Sequence, residues 1–125
     1  MSNTTEIKTF GPYSPIRKVG TMYFTAGHVG ADKSGTAQPD AARQTAQALE
    51  NLAATLATIG LTLNDVVKVT LFLTDMADFG AVNEVYLAHF AEPRPARSTV
   101  AVRDLPHVAE VPLRVEIEAV AAGPQ

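Results

Sequence analysis

Few side chains in this sequence could do chemistry, and an arginine and a glutamate stand out. Arg97 follows Pro93-Arg94-Pro95-Ala96, so two prolines stiffen the approach and the guanidinium starts from a restrained segment. A planar guanidinium grips a carboxylate through two parallel hydrogen bonds; the other reading is an ion pair with a surface carboxylate. Glu116 sits between Val115 and Ile117 in an alternating run. A carboxylate in a partly dry cleft has a raised pKa, which suits proton transfer near neutral pH. The alternative for Glu116 is an ion pair with Arg114 or Arg103 of a neighbouring copy, and Glu118 shares its parity. The histidines, His28, His89 and His107, show no metal-ligand spacing. His89 and His107 read as surface or half-buried residues; His28, ending a strand beside Gly27, is the histidine that qualifies for a site. Ser14, Ser34 and Ser98 lack the glycine-flanked turn of a serine nucleophile. Without cysteine there is no thiolate nucleophile, thiolate zinc site or disulfide. The inventory is a carboxylate clamp, an acid–base group and no strong nucleophile, which fits a reaction that is already easy.

The elements that must carry these groups fit one domain. The chain has 125 residues, 46% apolar and 18% charged, enough for a real core with little surplus. The formal charge is −3 and no lysine- or arginine-rich stretch exists, so nothing predicts a phosphate-binding surface. The first ten residues lack the apolar run of a signal peptide. No window approaches the ~18 apolar residues of a membrane helix, and a cytoplasmic protein is expected.

Strand signals fall at residues 6–10 and 21–28; in the second, Met22, Phe24 and Ala26 alternate with Thr21, Tyr23 and Thr25. Gly11-Pro12-Tyr13-Ser14-Pro15 between them cannot be regular structure. Residues 40–59 form the strongest helical pattern, with Leu49, Leu52, Ala53, Leu56 and Ile59 on one stripe, Asp40 as N-cap and Gly60 as stop. Val67, Val69, Leu71 and Leu73 then alternate with Lys68, Thr70 and Phe72 in a strand. Asp75 or Asp78 can cap a second helix bearing Phe79, Val82, Tyr86 and Phe90, ended by Pro93 and Pro95. Residues 96–102 and 113–121 read as strands, the latter with Leu113, Val115, Ile117 and Ala119 on one face and Arg114, Glu116, Glu118 and Val120 on the other. The order predicts an α+β sandwich with both helices on one face of a single sheet. The other face would expose Phe72 and Val120 with Met22 and Phe24, or with Val100 and Val102. Such a patch predicts self-association in a closed ring.

A set of motifs, in order, resembles the RidA/YjgF family (the endoribonuclease L-PSP group). They are Gly11-Pro12-Tyr13-Ser14-Pro15, Phe24-Thr25-Ala26-Gly27-His28, Gln44-Thr45, Leu49-Glu50-Asn51-Leu52 and Lys68-Val69-Thr70-Leu71-Phe72. Further along come Asp75-Met76-Ala77-Asp78-Phe79, Val82-Asn83-Glu84-Val85-Tyr86, Pro95-Ala96-Arg97-Ser98 and Val115-Glu116-Ile117-Glu118-Ala119. The match runs over residues 11–121. The resemblance implies a chorismate-mutase-like fold, a homotrimer with a central β-barrel and clefts between subunits. It also implies cofactor-independent hydrolysis of 2-imino acids and their enamines to 2-oxo acids and ammonia. The family's substrate-carboxylate arginine falls on Arg97 and its water-activating glutamate on Glu116. Main chain at Gly27 and around Thr99 would hold the substrate's polar groups, and Tyr13, Phe79 and Asn83 match other cleft positions.

Ala26 and His28 stand where many deaminating members have serine and glutamine. Residues 86–97 look shorter than in the best-known members, and residues 106–116 longer, with His107-Val108-Ala109-Glu110-Val111-Pro112. Both changes lie close to the implied cleft. Two other readings accompany the general deaminase: a relative acting on a pathway-specific imine or aminoacrylate, favoured by His28, and a non-catalytic trimer binding a small carboxylate or a partner protein. A ribonuclease is disfavoured by the acidic charge.

Overall fold

The structure, a computed structural model, describes residues 9–124. Six strands form one mixed sheet: β1 (Ile16–Val19), β2 (Met22–Thr25), β3 (His28–Val29), β4 (Val66–Leu73), β5 (Ala96–Ala101) and β6 (Val115–Ala122). Their order is β1-β2-β6-β4-β5, with β3 also paired to β6. Only β4 and β5 run parallel, as the crossover through α2 (Phe79–His89) requires. The expected strand at residues 6–10 falls partly outside the described residues, and Thr9 and Phe10 are not in a strand.

The first described strand instead follows Pro15. Its Arg17 and Lys18 are exposed, which hides the strand from an alternation test. A two-residue Gly20-Thr21 turn pairs Val19 with Met22, with Gly20 at φ 61°. A glycine at the first turn position supplies the positive φ that the twist of a tight hairpin demands.

Helix α1 (Ala41–Ala57) begins as its sequence predicts, with the Asp40 carboxylate accepting from Arg43 N–H. Past its end Gly60 takes φ 77°. Leu49, Leu52 and Leu56 are fully buried, and each contributes about 1.5–3 kcal/mol. They meet Val69, Leu71, Val115, Ile117 and Ala119 from the sheet and Val82 and Tyr86 from α2 in one core. Both helices therefore cover the same face. In β4 a register irregularity between Val66 and Lys68 buries Val66 and turns Val67 out, 44% exposed. Val67 was expected inside; the bulge reverses the alternation ahead of it. Asp75 caps the short 3-10 turn Met76–Asp78 by accepting from Ala77 N–H, while Asp78 precedes α2 without a capping bond.

A larger departure lies between β2 and β3. Phe24 pairs with Val120, but His28 pairs with Ile117, so the register slips by one residue around Ala26 and Gly27. One extra residue inverts every side chain beyond it. Phe24 therefore faces away from the helices while His28 faces into them. On that outer face, loop residue Leu105 joins Val29 and Leu113 in a small cluster against Phe72. Phe24 and Val100 stay uncovered, 47% and 41% exposed. Among the described residues no helix is long and apolar enough to cross a membrane.

Candidate active site

The sheet divides the expected site residues into two groups. The first gathers on the outer face. Glu116 pairs with Phe72 across β4 and projects away from the helices. Its carboxylate lies against Gly27, where a built Cβ would collide with the carboxylate oxygen. Glycine at this position is thus a matter of close approach. Tyr13 and Ala26 line the same cleft of about 720 Å³, closed on one side by Pro106 and Val108. The Glu116 carboxylate makes no hydrogen bond or ion pair to any described residue. Burial, with the Glu118 charge second, holds its pKa above the ordinary glutamate value. It is a half-buried carboxylate committed to no partner among the described residues.

The second group sits on the helix side, at the sheet's edge. Arg97 pairs with Val69, so its side chain points towards α2. There Nη2 donates to Asn83 Oδ1 at 2.6 Å, and the guanidinium lies 4.7 Å from the Tyr86 ring centre and 5.6 Å from that of Phe79. Phe79, Asn83 and Tyr86 occupy i, i+4 and i+7 of α2, one stripe. Stacked rings hold a guanidinium's orientation while leaving most of its donors free. Arg97 has no carboxylate partner among the described residues. Thr99 lies two residues on, half-buried, with the same parity. Because β5 ends the sheet, its outer main-chain edge has no strand partner among the described residues.

The two groups do not meet within one chain. Glu116, Phe72 and Val100 align across three strands, and Arg97 lies three residues before Val100. Strand geometry then separates the Arg97 and Glu116 Cα atoms by about 14 Å, with their side chains on opposite faces.

His28 joins neither group. Its ring is buried, with Nδ1 2.9 Å from the Ala26 carbonyl and Nε2 2.7 Å from Thr55 Oγ1 on α1. Burial lowers its pKa below the ordinary histidine value. Among the described residues no group of three or more metal-ligand side chains converges. The sequence reading missed Arg17, which lines the cleft beside Phe24, because it missed β1. It also missed Tyr86 as the ring beneath Arg97, although the i, i+4, i+7 spacing carries that signal. The Tyr86 hydroxyl is buried without a partner among the described residues.

Arg114 is already committed, to Asp78, with a two-bond fork of 2.9 and 3.2 Å. The buried Gln44 amide donates to Gln38 and Pro112 carbonyls and accepts from Arg114 N–H. Together these anchor the long loop before β6, and with it the approach to Glu116.

The family model described as endoribonuclease L-PSP matches residues 3–123. A RutC family protein of Pyrococcus horikoshii is 46% identical over 116 residues, spanning 91% of this chain and 89% of its own. A Mus musculus protein named 2-iminobutanoate/2-iminopropanoate deaminase is 42% identical over 127 residues, spanning 99% of this chain and 91% of its own. The crystal structure of E. coli TdcF with bound serine superposes with a TM-score of 0.85 at 34% identity, covering 98% of this chain and 97% of that one. With likeness this even along the whole sequence and sheet, the chain belongs to the RidA/YjgF family, the endoribonuclease L-PSP group.

Proposed function

We propose that this protein hydrolyses 2-imino acids and their enamine tautomers to 2-oxo acids and ammonia, in clefts completed by a second copy of the chain. The observation that carries this reading is the split site. A guanidinium held by Asn83 and aromatic rings, with no carboxylate partner among the described residues, lies at the sheet's edge, and an unpaired carboxylate of raised pKa lies on the opposite face. Neither suffices alone. The bare apolar face around Phe24 and Val100 supports a closed homotrimer that sets one copy's edge strand against its neighbour's outer face. Relatives named as deaminases, and one neighbour solved with a small amino acid bound, support the substrate class.

In the proposed reaction Arg97 holds the substrate carboxylate and fixes the C=N carbon beside a water. Glu116 takes a proton from that water as its oxygen bonds to carbon, and the C=N pair moves onto nitrogen. Glu116 returns the proton to nitrogen, giving the carbinolamine; it then relays the carbinolamine hydroxyl proton to that nitrogen, and as the oxygen pair forms the C=O of the 2-oxo acid the C–N bond breaks and ammonia leaves. An imine is electrophilic already, so positioning and proton transfer carry the step. A net charge of −3 gives little electrostatic support to an RNA substrate.

The test is ammonia release from an imine generated in situ by a dehydratase acting on threonine. Wild type accelerates release, and Arg97→Ala loses on the order of 100-fold or more of that gain. An Arg97→Ala protein that clears imine at the wild-type rate overturns the reading. So does an assembled oligomer in which no Arg97 approaches a neighbour's Glu116.

A further inference from the structure

We infer that His28 is a positioning residue for the proposed site, acting through the Ala26–Gly27 peptide; this rests on the deaminase reading and names a further residue for it. The peptide lies at the register slip between β2 and β3, outside both strands. Its carbonyl, Ala26 O, accepts from Thr25 Oγ1 at 2.8 Å and lies 2.9 Å from His28 Nδ1. A carbonyl only accepts, so Nδ1 carries the proton, and in the neutral ring Nε2 accepts from the Thr55 hydroxyl. The imidazole is therefore a strut from α1 to a single carbonyl.

A trans peptide points its N–H opposite to its C=O. With Ala26 O drawn towards the helix layer, Gly27 N–H is aimed the other way, into the cleft where Glu116 lies against Gly27. Among the described residues, Gly27 N–H finds no acceptor in the bonds of loops, turns and side chains. It is a donor held ready for an oxygen of the substrate. Without the strut, only the Thr25 hydroxyl would hold the peptide, and that hydroxyl is shared with Ala119 N–H.

The orientation also explains how a histidine can matter here without touching the cleft contents. Glutamine offers an amide N–H and a carbonyl oxygen at one side-chain end, so it can reach the same two partners. Phenylalanine fills the space and makes neither bond.

The experiment compares His28→Phe, His28→Gln and Thr55→Val by imine turnover, thermal melting and the Gly27 amide resonance in the 1H–15N spectrum of the full chain. His28→Phe is expected to lose kcat/KM on the order of 100-fold, the scale of one misdirected donor, and to shift the Gly27 resonance. His28→Gln restores both. Thr55→Val lowers the melting temperature while keeping most of the turnover, because the Nδ1 bond to Ala26 survives. His28→Met, flexible enough to fill the same space, replaces His28→Phe if that variant does not fold.

Turnover that follows melting temperature alike in His28→Phe and Thr55→Val would make the role purely structural and overturn the inference. A Gly27 resonance unmoved in His28→Phe would do the same. If wild type releases no ammonia but the Gly27 amide still moves in His28→Phe and returns in His28→Gln, the deaminase reading falls and the positioning role stands.

Discussion

On the helix side of the sheet every buried polar group has been given work. Gln44 fills its amide with three backbone bonds, Thr45 donates to Ala41 O, and Thr55 meets His28; the Tyr86 hydroxyl is the exception. On the outer side Glu116 is left without a partner among the described residues, in a cleft that raises its pKa, among apolar side chains that no described residue covers. A buried polar group normally costs stability unless it is hydrogen-bonded. The contrast teaches that the helix side is finished for folding, whereas the outer side retains a half-buried, unpaired carboxylate and bare apolar surface. Those two features make sense together if the outer side is completed by something else.

Glu116→Gln is the sharpest way to break that comparison. In the proposed role of acid–base group, Glu116 would be worth about 10²–10⁴-fold in rate, so the variant should lose nearly all acceleration of ammonia release. Its stability should move the other way. A carboxyl whose folded pKa is raised holds its proton more tightly folded than unfolded, so its contribution to stability falls as pH rises from the unfolded pKa through the folded one. At pH 7 the amide should raise the melting temperature. A melt unchanged or lowered, with activity intact, would place Glu116 among ordinary surface carboxylates.

Two glycines separate the sides by a smaller effect. A Cβ at Gly30 would sit 2.5 Å from the Gln44 carbonyl and 2.6 Å from its Cα, against the backbone of α1, which cannot swing aside. Gly30→Ala should cost about 1–3 kcal/mol by denaturant melts. At Gly27 the obstacle is the far end of the Glu116 side chain, which can move. Gly27→Ala should keep most of its stability and lose activity by displacing the carboxylate. Equal stability losses at the two positions would erase the distinction.

The smallest effect sharpens the electrostatics. The Glu118 charge is the second cause of the raised Glu116 pKa. Removing it in Glu118→Gln should lower that pKa, so the acid limb of kcat/KM moves to lower pH with little change at the plateau. A limb that moves upward or stays fixed would show that some other group titrates.

How much of this the sequence could reveal depended on whether a feature is written in periodicity. Helix α1 could be read end to end, because Asp40, the leucine stripe and Gly60 are each local signals. So could β6, whose alternation survives unbroken from Val115 to Ala121 and places Glu116 opposite the helices. Register slips were invisible. The one between β2 and β3 turned His28 from the face of Phe24 into the core, and the one in β4 turned Val67 out. Both depend on which residues pair across strands distant in sequence, which no single run of residues encodes. β1 was missed because a short edge strand carrying Arg17 and Lys18 follows no apolar alternation. The division of Arg97 and Glu116 between faces follows from the register of β5 on β4, which pairs Arg97 with Val69 and which the element sequence alone leaves open.

Gln44 fastens the chain at Pro112 and Arg114, only two residues ahead of Glu116. That clasp fixes the end of the loop independently of the course the loop takes over residues 102–111. Lengthening a flexible loop costs about 0.6 kcal/mol per doubling, so the rim formed by Pro106 and Val108 can be rebuilt cheaply while the carboxylate stays in place. Evolution could therefore reshape the mouth of the cleft without reopening the problem of where the Glu116 carboxylate stands.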